Sequence, residues 1–387
     1  MLRHRALLTC IFLFACFCPP ARAQGIFFNG FETPCDPGDA DGDRLSGCEE
    51  KQIKTDENNS DTDGDGLADG DEALGTENGL DLPAMGVNPR RKDILVEHDW
   101  TDDGFECSQH SHKPTIAILT ELRQLFANAP VTNPDGSFGI NLVNDFGQGG
   151  KLAGGNFIAL PNGSLGAMGD ENYIINKAAN FDENRLGYFH YMLHAHVYTS
   201  YYGSTGAGEV PGDETLITMG CYHHDKPFTR NTILHELGHN LGLRHGGVSD
   251  CNYKPNYNSV MNYNFSQFGV DANCDSSPDG IADFSSGTNI DIDENNVDEG
   301  LGVCGNPAIS WNFMDPDDEA GLVLDLNQFG YYAHPPGWQE IECGGIYTLL
   351  TDDDDWANLN LVVLPSPGSG EGGIPVSKIS VCQLLPK

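Results

Sequence analysis

Basic residues are scarce in this 387-residue chain: 20 Lys and Arg stand against 57 Asp and Glu, a formal net charge of −37. A surface this acidic repels nucleic acid and anionic membrane, and so excludes both as natural partners. Long hydrophobic runs are also lacking. No stretch approaches the roughly 20 uninterrupted apolar residues of a membrane-spanning helix, so no membrane insertion is expected. The apolar stretch Ala6 to Phe17 follows Arg3, His4 and Arg5 and precedes Ala21-Arg22-Ala23, a small-x-small cleavage site before Gln24. The pattern reads as a secretory signal over residues 1–23, which places the mature chain outside the cell or in the periplasm. Phe14, two residues before Cys16, fits poorly with a lipid-attachment site. Removing the signal moves the net charge to −40 and leaves nine of the 12 cysteines. In an exported chain these read as disulfides with one thiol left over. Cys35 with Cys48 would close a short loop and Cys251 with Cys274 would staple a later one, although spacing alone does not fix connectivity.

Histidine is concentrated where chemistry needs it. Residues 235–245 read HELGHNLGLRH. On a helix, His235 and His239 lie about 40° apart around the axis and one turn apart along it, so two neutral imidazoles can hold one Zn²⁺ from the same face. Glu236 falls beside the metal, where it can take a proton from water. A continuing helix would aim His245 roughly 120° away from His239, so the chain must turn first. Gly242 stands where a helix can end in a left-handed cap without a Cβ penalty, folding His245 back as a third ligand. The competing reading is a helix with satisfied core histidines. With 13 His and 47 Gly in the chain, the added Gly and His make chance roughly 250-fold rarer than for a bare HExxH.

Further on comes Ser259-Val260-Met261-Asn262-Tyr263. An extended zinc motif followed by a Met-turn makes the chain resemble the metzincin zinc endopeptidases, in a secreted, bacterial style. The resemblance is specific from His235 to Tyr263 and only pattern-level elsewhere. It implies His235, His239 and His245 as ligands of one catalytic zinc, with Glu236 as the general base that later returns the proton to the leaving amine. It also implies Met261 as a hydrophobic floor beneath the metal. Tyr263, placed as in the astacin-like and serralysin-like branches, would stabilise the oxyanion; a plain aromatic after a tight turn is the alternative. Gly246 stands where several branches carry a diagnostic Glu, Pro, Asp or Ser, which leaves the subfamily open. No cysteine lies in a recognisable zinc-blocking propeptide motif. Three imidazoles leave the metal one position for water, whose pKa falls to about 7, so peptide hydrolysis without a covalent intermediate is expected.

Three regions follow the signal. Residues 24–75 form an acidic calcium-binding module. Asp61, Asp63, Asp65, the Leu67 carbonyl, Asp69 and Glu72 match a calcium loop at every ligand position, with Gly66 at the sharp turn. A weaker copy runs through Asp39, Asp41, Asp43 and Glu50, where Arg44 replaces the turn glycine and Gly47 the ninth ligand. The flanks lack helical periodicity, so the pair resembles thrombospondin type-3 or dockerin-like repeats more than an EF-hand. From Asp36 to Glu72 there are 14 acidic and 3 basic residues, a segment that stays compact only with divalent cations; the alternative is a disordered linker.

Residues 76–268 form the expected zinc protease domain, with strands at 92–100, 139–143, 188–198 and 216–220. An amphipathic helix at 114–129 carries Ile116, Ile118, Leu119, Leu122 and Leu125, and the active-site helix starts near 229–231. By the resemblance, strand 216–220 edges the cleft and pairs with an extended substrate. Glycine-rich stretches at 147–155 and 203–208 read as loops. His194 and His196 would share one strand face, as a packed pair or a metal site. Residues 269–387 form an acidic, turn-rich C-terminal region that could complete the catalytic domain, with a strand at 359–364, a loop at 365–375, and carboxylates at 291–299 and 352–355 that could bind more calcium. The expected fold class is α/β (α+β): a metzincin-like domain with a mixed, mostly parallel five-stranded sheet and an active-site helix, plus the calcium module and an irregular, β-rich C-terminal region. The expected protein is a monomeric, secreted zinc endopeptidase acting on protein or peptide, with one catalytic Zn²⁺ and structural Ca²⁺. The rivals are a non-catalytic calcium-dependent adhesion module with structural zinc, and a zinc amidase acting on cell-wall material.

Overall fold

The structure is a computed structural model. It describes residues 35–160, 164–198, 204–223, 225–275, 277–305, 308–310, 320–326, 343–364 and 379–383. The signal segment and the loop at 365–375 lie outside these. The strands are β1 (Asp93–Trp100), β2 (Asp102–Asp103), β3 (His110–Ser111), β4 (Asn141–Asp145), β5 (Ser164–Leu165), β6 (Phe189–Ala195), β7 (Val197–Tyr198), β8 (Ser204–Glu209), β9 (Glu214–Thr218), β10 (Ile292–Asp293), β11 (Val297–Asp298), β12 (Ala320–Leu322), β13 (Leu349–Leu350) and β14 (Ile379–Gln383). The helices are α1 (Gly47–Ile53), α2 (Asp69–Leu74), α3 (Leu82–Met85), α4 (Ile116–Ala127), α5 (Glu171–Asn180), α6 (Lys226–Asn240) and α7 (Asp355–Asn358).

The central sheet has the order β14-β8-β9-β6-β1-β4. Strands β4, β1, β6 and β9 run parallel, β8 is antiparallel to β9, and β14 is antiparallel to β8. The fold is thus mixed α/β around five mostly parallel strands, with β14 added as a sixth. β1 is buried from Asp93 to Asp99 because both faces of the sheet are covered, as parallel strands require. Ile94 and Val96 pack with α4 and α6, while Leu95 points to the other face with Phe189, Tyr191 and Leu216. That second face is covered by Tyr173 of α5 and by Leu67, Leu80 and Leu82 of the N-terminal segment. Residues Asp36–Lys387 cluster as one unit. Among the described residues, no helix is long and apolar enough to cross a membrane.

Several expectations are corrected. Strand 216–220 does not edge the sheet; β9 lies between β6 and β8. The strand beyond β9 comes from residues expected as a loop, β8 with sequence STGAGE, and β14 pairs along its outer side. Glycine is depleted from strands in general, but here helix α6 comes too close for side chains: a Cβ on Gly206 would lie 2.5 Å from Glu236 Oε1. α6 begins at Lys226, three residues early, because Asp225 caps it and Pro227 occupies its first turn. α4 buries Ile118, Leu119, Leu122 and Phe126, but Ile116 is exposed. Residues 359–364 form no strand, and α5 was not foreseen. Cys251 pairs with Cys343 and Cys274 with Cys304, in place of the expected Cys251–Cys274 bridge. Cys107 pairs with Cys221, and both Cys35 and Cys48 are disulfide-bonded. Such bridges persist in an oxidising compartment.

The C-terminal region packs into the same core as α6: Trp356 and Leu361 join Met261 and Tyr257, and Tyr257 donates to Asp355 at 2.8 Å. Deeper in the sheet, Arg185 spans two buried carboxylates, Glu97 at 2.5 Å and Asp145 at 2.7 Å. Burial pushes Glu97 up to about 8 against the pull of Arg185. Replacing Arg185 by Ala leaves two buried carboxyl groups without their shared partner and lowers unfolding free energy by about 3–5 kcal/mol. By contrast, Lys151→Ala, which removes only the exposed pair with Asp81, leaves urea unfolding unchanged within error. Equal effects of the two would remove the burial argument.

Candidate metal centres

α6 carries His235, Glu236 and His239, all fully buried. It ends in a Schellman closure: Leu243 N donates to Gly238 O and Gly242 N to His239 O, both at 2.9 Å, with Gly242 at φ +91°. The reversal returns His245, so that the three imidazoles each bring one ring nitrogen within 4.8 Å of the others. Backbone carbonyls fix the tautomers. His235 Nδ1 bonds Val260 O and His239 Nδ1 bonds Leu243 O, both at 2.8 Å. With Nδ1 committed as donor, Nε2 keeps its lone pair, and both Nε2 atoms are buried without a hydrogen-bond partner. Burial pushes His235 down to about 4 and His239 well below the usual imidazole range, so both rings are neutral at physiological pH.

The surroundings are built by close approach. A Cβ on Gly238 would meet Met261 Sδ at 2.5 Å, so the glycine inside the helix lets the fully buried Met261 sit against it. Val260, next to that Met, supplies the carbonyl that holds His235. Tyr263 lies with its ring centroid 4.4 Å from that of His245. Both carboxylate oxygens of Glu236 are buried without a hydrogen-bond partner, and burial alone pushes its pKa well above the ordinary carboxylate range. Gly246 admits no side chain, since a Cβ there would lie 2.3 Å from the Cys251 carbonyl. Lys254 clamps the following loop, donating to Gly246 O at 2.9 Å and Thr351 O at 2.8 Å. Three converging imidazoles, two of them with orphaned lone pairs, suit a borderline-soft cation, so the residues fit a metal of the zinc type.

The acidic loops form two matching cradles. Asp39 accepts from Gly42 N and Arg44 N, and Asp61 from Gly64 N and Gly66 N, at equivalent offsets. Asp43 accepts from Leu45 N as Asp65 does from Leu67 N. The loop with Arg44 is therefore as well formed as the one with Gly66. Arg44 takes φ +84° where Gly66 has +94°; its guanidinium bonds Asp71 at 2.5 Å and Gly75 O at 2.7 Å, which offsets a left-handed penalty of about 1–2 kcal/mol. Asp61, Asp63 and Asp65 form one potential ligand group and Asp39, Asp41 and Asp43 another. Asp69, expected at the ninth position of the 61–72 loop, groups with Asp43 and Glu50 and accepts from Thr62 N at 2.9 Å and Thr62 Oγ1 at 2.6 Å. Both carboxylate oxygens of Asp41, Asp63 and Glu72 are buried with no hydrogen-bond partner. Oxygen-only donors of this density fit a hard divalent cation.

His194 and His196 do not act as a pair. His194 Nε2 lies 3.0 Å from His98 Nδ1, while His196 joins Asp103, His110 and His112. Sequence reasoning missed this group, along with the roles of Gly206 and Gly238. The only signal for it was two His on alternate residues, 110 and 112, and no spacing rule joins those to His196. The chain matches no family model, no curated protein and no solved structure.

The loop carboxylates make stability depend on pH. Burial first, and neighbouring charges second, push Asp65 up to about 8 and Glu72 to about 11; burial pushes Asp63 to about 7. Carboxyls raised above their unfolded values favour the fold when protonated, and that contribution is lost as pH rises through the folded pKa. In chelator, the melting temperature should fall by more than about 5 °C between pH 5 and pH 8. Millimolar calcium should abolish the fall, because a bound cation keeps the carboxylates ionised. A chelated sample equally stable at both pH values would show that the loops need no cation.

Proposed function

We propose that the chain is a zinc-dependent endopeptidase of metzincin type, exported and braced by calcium in its two acidic loops. The observation that carries this reading is the set of orphaned buried atoms on α6: two Nε2 lone pairs converging with His245, and the free Glu236 carboxylate beside them. His235, His239 and His245 would hold the zinc, which when bound supplies Lewis acidity that polarises a carbonyl and acidifies water. Glu236 accepts the proton from the attacking water and donates it to the leaving amine. Tyr263, ring to ring with His245, would donate a hydrogen bond to the developing oxyanion. Three protein ligands leave a coordination position open, which favours catalysis over a structural role.

β8 supports the choice of a polypeptide substrate. It lies directly over Glu236 through Gly206 and Gly208, so an extended peptide paired along it would run past the reacting groups. In this chain β14 already occupies that edge, antiparallel, with Cys382 opposite Gly206 and Ile379 opposite Glu209. A substrate strand must displace it.

Two outcomes test the reading. Glu236→Gln should keep its zinc but lose roughly 10²–10⁴-fold in casein cleavage; full activity with zinc bound would end the proposal. A chain shortened to end at Leu364 should cleave extended peptides with a KM about tenfold lower, because no internal strand competes. An unchanged KM would exclude β8 as the substrate track.

A further inference from the structure

A second cluster of imidazoles lies outside the site described above, and the topology of the sheet assembles it. Beyond β1, strands β2 and β3 form an antiparallel ribbon that sets Asp103 opposite His110. His112 follows, its backbone N–H donating to Thr101 O at 2.9 Å. β1 and β6 run parallel with Trp100 opposite His194, so Asp103 and His196 leave neighbouring strands at the same carboxyl end. Asp103, His110, His112 and His196 each offer one ligand atom, and these lie within 4.8 Å of one another. Asp103, His112 and His196 are only 5, 0 and 3% exposed.

Hydrogen bonding accounts for only part of the arrangement: His110 Nδ1 lies 2.9 Å from Ser108 O, but other ring nitrogens of the cluster are left over. Asp103 Oδ2 lies 2.7 Å from His112 Nε2, a good bond. Asp103 Oδ1 lies 3.1 Å from His196 Nδ1, yet that nitrogen has no aligned hydrogen-bond partner, and neither does His112 Nδ1. The 3.1 Å separation of Asp103 Oδ1 and His196 Nδ1 is close to the edge, about 3.3 Å, of a tetrahedron built on zinc bonds of about 2.0–2.1 Å. The frame is rigid. The Cys107–Cys221 disulfide ties the ribbon turn to residues 220–222, Gly220 N donates to His196 O at 3.0 Å, and His110 Nε2 lies 3.3 Å from Gly220 O.

We propose that Asp103, His110, His112 and His196 bind a second zinc ion in a closed tetrahedral site. Three imidazoles with one carboxylate favour zinc over the oxygen-seeking calcium of the acidic loops. Four protein ligands leave no position for substrate, so the ion is structural and pins the ribbon to the ends of β1 and β6. The inference does not depend on the proposed activity.

The test is the zinc content of the intact purified chain by mass spectrometry, after dialysis against excess calcium and trace zinc. The expected ratio is about two per chain, falling to about one in His112→Ala/His196→Ala and also in His235→Ala/His239→Ala. A His235→Ala/His239→Ala variant that holds no zinc overturns the second site. Loading that variant with Co²⁺ gives an independent reading: the visible absorption of four-coordinate cobalt is expected, and its absence also overturns the site. A single zinc that survives His235→Ala/His239→Ala but is lost with His112 and His196 would uphold the second site and remove the proposed catalytic one.

Discussion

The carbonyls of Val260 and Leu243 orient the centre on α6, because each accepts the Nδ1 proton of one histidine and so turns the opposite nitrogen inward as a lone pair. Neither carbonyl would be in reach without a chain reversal. Leu243 is delivered by the left-handed Gly242, and Val260 by a loop whose Asn262 side chain bonds Lys254 O and Tyr257 O. Lys254 in turn reaches Thr351, so the C-terminal region takes part in fixing the first histidine. The geometry of three imidazoles therefore depends on contacts spanning more than a hundred residues.

Glycine recurs wherever two backbones must come within side-chain distance of this centre. Gly206 and Gly208 let β8 lie on Glu236, Gly238 admits Met261, and Gly246 admits the Cys251 carbonyl. A larger residue at 246 would collide with that carbonyl.

Legibility followed the same physics. β1 and β6 were readable because strands covered on both faces must be apolar or internally paired along their length. Helix α6 was readable because its histidine spacing is local. β8 was not, because its glycines answer to α6 and not to the strand itself, and glycine in a sequence reads as a turn. α5 was missed because only Tyr173 in it is buried, which leaves too little apolar periodicity. The first acidic loop was undervalued at Arg44, whose positive φ is held by Asp71 and Gly75, partners 27 and 31 residues away. A local pattern could not show them. Yet Asp39, Asp41, Asp43 and Glu50 each stand 22 positions before Asp61, Asp63, Asp65 and Glu72. That repeat was available and argues for equivalence more strongly than the turn residue argues against it.

Charge and architecture meet in β1. At its start, the backbone N–H of Asp93 donates to Asp65 Oδ2 at 2.6 Å, so the second acidic loop is bonded directly to the first residue of the strand. Just beyond its end, Asp103 gathers the histidines of the second cluster. Between the two, Glu97 is held by Arg185, and Ile94 and Val96 support the layer that carries α6. Cations at the two ends would thus neutralise carboxylates that burial otherwise disfavours, and they would do so on the strand against which the rest of the parallel sheet is ordered. A chain this short of Lys and Arg has few internal counter-ions to spare for that task. Bound metal ions would supply that positive charge, which would link the acidic composition to the way the sheet is held.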